Sequence, residues 1–142
     1  MSRLYILTEV SSASGGHLIF KTCELIIICF DPFIGAVCKA VGISSWTIPD
    51  NQMTASSEVG PSYSAYYGRL YDTSADGWCS ETADSNDDWL EIDFGKTMEV
   101  CRVATQGDVV GSAWTTVFKL SFSTDGNTWK AYRDKQNVEV VG

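Results

Sequence analysis

Two short segments in the second half of the chain alternate apolar and polar residues, and this pattern constrains the fold more than any other feature. In residues 117–123 (VFKLSFS), Phe118, Leu120 and Phe122 are separated by polar residues, and residues 89–94 (WLEIDF) repeat the pattern. Successive side chains of a β-strand point to opposite faces of a sheet, so each segment has one face for a core and one for solvent. No window has the 3.6-residue period of a capped helix. The sequence therefore predicts an all-β domain.

Further candidate strands and their turns support this class. Residues 100–105, 130–133 and 138–141 are three further short candidate strands. Asp125-Gly126 separates two candidate strands, which predicts a hairpin because glycine accepts the positive φ of a tight turn. Gly95 closes the strand at 89–94. Short strands between such turns favour a β-sandwich or a barrel.

Charge and composition exclude several classes of function. The chain has 142 residues, enough for one domain, with 10 basic and 18 acidic side chains and a net charge of −8. An acidic chain lacks the clustered cations that nucleic acids and anionic membranes require. His17 is the single histidine, which argues against histidine-based metal sites and most histidine-dependent catalysis. We therefore predict no cofactor and no metal; the acidic run Asp84, Asp87 and Asp88 lacks EF-hand spacing and is interpreted as a turn.

The cysteines indicate an oxidising compartment. There are five, none in a C-x-x-C pair, and the wide spacing of Cys38, Cys79 and Cys101 suits disulfides better than a zinc ribbon. An odd count leaves at least one unpaired within this chain.

The first 37 residues differ in texture from the rest. Residues 25–37 (LIIICFDPFIGAV) form an apolar run too short to span a bilayer as a helix. It is either the apolar centre of a degenerate signal peptide or part of a segment that is not a natural N-terminus. We expect residues 1–37 to be a non-domain segment and residues 38–142 to form the domain.

A series of sequence blocks in a fixed order carries a resemblance to a known family. The blocks are Cys38, 48–50 (IPD), 52–57 (QMTASS), 68–70 (GRL), 77–79 (GWC), 89–95 (WLEIDFG), 103–107 (VATQG), 114–116 (WTT) and 119–129 (KLSFSTDGNTW). From residue 38 to the end, the chain resembles the coagulation factor 5/8 type C domain, also called the discoidin domain. The resemblance implies an extracellular jelly-roll β-sandwich of the galactose-binding-like type that binds ligands through loops at one end, without catalysis.

The resemblance also implies that the domain is incomplete at its C-terminus. Family domains continue with further strands and a closing cysteine that normally pairs with the first one, here Cys38. We therefore expect Cys38 to be unpaired. Cys79 and Cys101 are the favoured internal disulfide, with pairing of Cys79 outside this chain or a buried free thiol at Cys101 as the alternatives.

Carried over from the family, the ligand-facing loops are residues 58–67 and 108–113. The candidate ligand-binding residues are Val59, Pro61, Tyr63, Tyr66, Arg69, Val109, Val110 and Trp114. At least one of Tyr66 and Tyr67 is expected to pack into the sandwich. Arg69 has two open interpretations: it binds a carboxylate or sulfate of a ligand, or it forms a buried salt bridge with Asp72 or Asp93.

Family members bind phospholipids, collagen, growth factors or sugars, and the choice depends on the loops. We expect this chain to be an extracellular module, secreted or part of an ectodomain, for cell adhesion or matrix attachment, with a glycan or protein ligand. Glu58 and Asp108 beside the loop tips argue against anionic phospholipid. The alternatives are a carbohydrate-binding module of a larger enzyme, a phospholipid-binding domain and a non-functional fragment.

Overall fold

The computed structural model describes residues 3–9, 21–22, 28–29, 39–40, 45–81, 87–97, 100, 103, 105–107, 115, 117–133 and 136–138. The strands in these ranges are β1 (Arg3–Glu9), β2 (Lys21–Thr22), β3 (Ile28–Cys29), β4 (Lys39–Ala40), β5 (Met53–Ala55), β6 (Trp78–Cys79), β7 (Asp88–Asp93), β8 (Val117–Ser123) and β9 (Lys130–Ala131). Within the same ranges the helical elements are short 3-10 turns at Asp50–Gln52, Pro61–Tyr63 and Ala65–Tyr67. The predicted all-β class is confirmed.

Five of these strands form one antiparallel sheet in the order β5-β7-β1-β8-β9. β2 pairs with β6, and β3 pairs with β4, in two small sheets. Because β1 is antiparallel to both β7 and β8, these two strands run in the same direction, and their C-terminal ends lie at the same end of the sheet. β5 continues into residues 56–67 at the opposite end of the sheet, because β5 is antiparallel to β7.

The core forms where the alternating segments meet. In β7, Leu90 and Ile92 are buried while Trp89, Glu91 and Asp93 are half-buried, as the period of two requires. The buried hydrophobic cluster packed around them comprises Ile48, Met53, Ala65, Trp78, Phe94 and Leu120. Trp78 is fully buried, and its indole N–H donates to the Ser57 carbonyl at 3.0 Å, so it belongs to the core and not to a ligand platform.

The predicted turn between β8 and β9 is confirmed, and Asp125 organises it. Gly126 has φ 76°, the conformation that glycine tolerates without strain. One Asp125 carboxylate oxygen accepts the backbone N–H groups of Asn127 and Thr128, both at 2.8 Å, and the Ser123 hydroxyl at 2.9 Å. These donors favour the ionised carboxylate and lower the pKa of Asp125 well below its usual range.

Replacement of Asp125 by asparagine should remove a pH-dependent part of the stability. A carboxyl whose pKa is depressed by folding stabilises the fold fully above its ordinary pKa near 4, and this contribution is lost as pH falls through the lower folded value. We expect Asp125→Asn to lower the melting temperature at pH 7 and the difference from wild type to shrink between pH 5 and pH 2. Thermal unfolding followed by circular dichroism measures it. Glu81→Gln, outside the turn, should keep the wild-type profile; an Asp125→Asn profile parallel to wild type would contradict the assignment.

The N-terminal segment differs in part from expectation. Residues 1–37 are expected to lie outside the domain, yet β1 lies between β7 and β8. Its register pairs Leu4 with Ile92 and Phe122, and Ile6 with Leu90 and Leu120. A short run rich in β-branched and aromatic residues can satisfy the hydrogen-bonding edges of both neighbours at once, which explains its position. The boundary at residue 38 stays a prediction.

Two candidate strands fall largely outside the described residues. In the segment 100–105, the described residues Val100, Val103 and Thr105 belong to no strand. In the segment 138–141, Val138 is exposed and belongs to no strand, and the other three residues lie outside the described ranges.

Candidate functional site

Residues 58–67, which we call the first loop, begin just after β5, at the end of the sheet where β7 starts. Two backbone hydrogen bonds fix its entry: the N–H of Ser56 donates to the Trp89 carbonyl at 3.0 Å, and the N–H of Val59 donates to the Cys79 carbonyl at 2.9 Å. The hydroxyls of Ser56 and Ser57 both donate to the buried carboxylate of Asp88, at 3.1 and 3.5 Å. The loop is thereby attached to β7 of the five-stranded sheet and to β6 of the β2-β6 sheet.

Glu58 braces the first loop from within. One of its carboxylate oxygens accepts the backbone N–H of Ala65 at 2.7 Å, and the other accepts the hydroxyl of Ser64 at 2.9 Å. These charge-assisted hydrogen bonds join the two ends of the loop across seven residues. Sequence reasoning treated Glu58 only as a charge that repels phospholipid and missed this bracing role, which no local sequence pattern reveals.

The predicted apolar residues of the first loop divide into an exposed tip and a packed base. Val59 is 45% exposed, and Pro61 is exposed at the start of a 3-10 turn. Tyr63 is half-buried. Tyr66 packs against the core, as expected for at least one of the two tyrosines, and its ring lies 4.4 Å from that of Tyr67. The hydrogen bond between the two hydroxyls raises the pKa of Tyr67.

Arg69 is buried, which matches the salt-bridge interpretation of this residue. Its guanidinium Nη2 donates to the Asp50 carboxylate at 2.8 Å and to the Ile48 carbonyl at 2.9 Å. The guanidinium also lies 4.4 Å from the ring of Trp46, a cation–π distance. Asp50 is a partner that sequence reasoning did not name; it proposed Asp72 or Asp93. The ligand role of Arg69 stays a prediction that variants can test.

Tyr71 is an exposed aromatic residue that sequence reasoning missed. Its backbone has φ 60°, and that of Trp46 has φ 61°, conformations that bulky residues rarely adopt. The N–H of Tyr71 donates to the side-chain oxygen of Gln106 at 3.2 Å, just before the second predicted loop begins. A cavity of about 310 Å³ lies between Trp46, Tyr71 and Asp72. Only the fold brings these side chains together, so no sequence signal could have found them.

The remaining site residues lie outside the described ranges. They are Val109, Val110 and Trp114 of the second loop region, and the cysteines Cys38 and Cys101. Cys79 is buried, and its Sγ lies 3.6 Å from the Ser80 carbonyl oxygen. The Cys79–Cys101 disulfide, the unpaired Cys38 and the second loop therefore stay predictions.

Two further observations apply to the described part of the chain. It contains no group of three or more His, Cys, Asp or Glu side chains arranged to hold a metal ion. None of its helical segments has the length and apolarity needed to cross a membrane.

Comparison of the sequence with known proteins identifies similar proteins. The family model for the F5/8 type C domain matches residues 52–141. Epithelial discoidin domain-containing receptor 1 of Homo sapiens is 32% identical over 119 residues, covering 79% of this chain, and the Rattus norvegicus receptor of the same name is 31% identical over the same coverage. The chain spans 13% of the length of these receptors. No solved structure matches it significantly.

Proposed function

The chain belongs to the F5/8 type C domain family of β-sandwich binding modules, and from that premise we propose that it is an extracellular adhesion module. It binds a glycan or a protein surface at the cell surface or matrix through the first loop and the loop at 108–113. Function in such folds resides in loops that a rigid scaffold positions.

The exposed apolar tip on a braced loop carries this proposal. Val59 and Pro61 project from a segment whose two ends are joined by Glu58. An apolar group that is held in a fixed, exposed place on a loop can release water when it packs against a ligand, which suits a ligand contact. Because the loop is already ordered, little conformational entropy is lost when a ligand binds.

Charge favours a neutral or basic ligand over an anionic membrane. The Glu58 carboxylate is engaged inside the loop, but the chain as a whole carries a net charge of −8. An acidic surface repels anionic headgroups and attracts basic protein surfaces, with a strength that falls as salt rises.

Replacement of Val59 by aspartate should weaken ligand binding at least tenfold, because a charge would have to be desolvated at the contact. The probes are a glycan array, immobilised collagen and vesicles containing phosphatidylserine, measured by surface plasmon resonance. The free energy of unfolding should change by less than about 1 kcal/mol, since the position is exposed. Val109→Asp with Val110→Asp tests the second loop in the same way.

Val138→Asp is the matched control, because Val138 is 58% exposed and lies far from the loop in sequence. It should bind every probe as wild type does. Unchanged binding by Val59→Asp and by the double variant would contradict the loop assignment. Vesicle binding without glycan or protein binding would favour the phospholipid alternative.

A further inference from the structure

A second and larger cavity lies at the end of the five-stranded sheet that is opposite to the first loop. β7 begins at Asp88, beside the residues that lead into that loop, and it continues into Phe94; β8 runs in the same direction and ends at Ser123. A cavity of about 500 Å³ opens at this far end of the sheet, between the C-terminal ends of β7 and β8 and the strand β9. Its volume falls in the range of small-molecule sites, which is about 300 to 1,000 Å³.

The cavity has an apolar, largely aromatic wall. Phe94 is buried, Phe122 is half-buried, and Tyr132 lies edge-on to Phe122 with ring centroids 6.0 Å apart. Val100 extends this wall. The two rings contact each other, and the wall that they form together can pack against a flat apolar body.

The rim of the cavity carries one cation, Lys130, and one carboxylate, Asp125. Lys130 is exposed on β9, and it has no ion pair among the described residues. Asp125 also lines the rim, but its carboxylate already accepts two backbone N–H groups and a hydroxyl within the turn. The Asp125 charge is therefore held in place within the turn, whereas the Lys130 ammonium can move to meet a ligand, beside the hydroxyls of Thr97, Thr124 and Thr128.

We propose that this cavity binds a small organic carboxylate, whose flat apolar body packs on Phe122 and Tyr132 while its carboxylate pairs with Lys130. A cationic ligand would be repelled by Lys130, and the Asp125 carboxylate is held in its turn and cannot move to meet it. A polyphosphate would bring several charges to one cation in an acidic protein. The site is separate from the first loop and does not depend on the proposed function.

Isothermal titration of the full chain with 2-naphthoate and with its methyl ester tests the site, in about 0.15 M salt to screen long-range repulsion. We expect saturable binding of naphthoate at one site. Lys130→Gln should weaken naphthoate binding about threefold, the scale of one partly exposed charge pair, and leave the ester unaffected. Thr97→Trp, at the exposed rim, should fill the cavity and weaken both compounds at least tenfold.

Lys96→Gln is the matched control, because it makes the same change in net charge at an exposed position that does not line the cavity. It should bind naphthoate as wild type does. Absence of saturable binding, an equal loss for the ester in Lys130→Gln, or insensitivity to Thr97→Trp would each overturn the proposal. Val59→Asp should retain naphthoate binding, so failure of the loop site and failure of this site are distinguishable.

Discussion

Replacement of Ile92 by alanine should lower the free energy of unfolding by about 2 to 5 kcal/mol, the usual range for removing a buried branched side chain. Ile92 has no solvent exposure and lies in β7, in register with Met53 of β5 on one side and Leu4 of β1 on the other. The lost methylene and methyl groups would leave a cavity where the sheet has neighbours on both sides, so the surrounding structure has little room to collapse. Since small domains have about 5 to 15 kcal/mol in total, much of the stability should disappear.

Urea denaturation followed by tryptophan fluorescence measures this loss. Thr54→Ala is the control, because Thr54 is exposed on the neighbouring strand β5. It should change the free energy of unfolding by less than about 1 kcal/mol. Equal effects of the two variants would show that Ile92 is not at the centre of a packed core.

The strands that could be predicted from the sequence are those whose residues alternate between apolar and polar. β7 and β8 each alternate apolar and polar residues, and the pattern located both to within a residue. In β8, however, Ser121 and Ser123 of the polar face are buried as well, so the expected solvent face is wrong for this strand. The turn at Asp125-Gly126 was also visible, because it depends on local backbone chemistry. Such features are encoded by residues within a few positions of one another.

The features that could not be predicted depend on partners distant in sequence. β1 occupies a position that exists only because β7 and β8 leave their backbone edges open to it. The partner of Arg69 is Asp50, nineteen residues away, while Asp72 and Asp93 were equally plausible from the sequence. No sequence pattern distinguishes Trp78 from Trp46, yet Trp78 is buried and Trp46 is 51% exposed.

The candidate site also combines features that could be predicted from the sequence with features that only the fold reveals. The position of the first loop came from the family resemblance, not from any pattern in its own residues. Its bracing by Glu58 is a contact across seven residues that helix or strand periodicity does not describe. The exposed pair Trp46 and Tyr71 became visible only when backbone angles and neighbours were known.

Replacement of Arg69 by methionine should lower the free energy of unfolding by about 2 to 4 kcal/mol. Methionine keeps much of the length of the side chain but leaves the carbonyl of the buried Ile48 without this donor. Asp50 is 51% exposed at its side chain and can recover water, so the loss should stay below that of a fully buried ion pair. Arg69→Lys is a weaker test, because a single ammonium can still pair with Asp50.

Arg133→Met separates the effect of burial from that of losing an arginine. Arg133 is exposed, and its Nη1 donates to the Asn137 carbonyl at 3.1 Å, so its replacement should change stability by less than about 0.5 kcal/mol. Ligand binding then decides between the two interpretations of Arg69. A structural arginine, which we expect, gives a destabilised variant whose folded fraction binds with wild-type affinity. An arginine that also contacts the ligand would instead give a destabilised variant whose folded fraction has lost affinity.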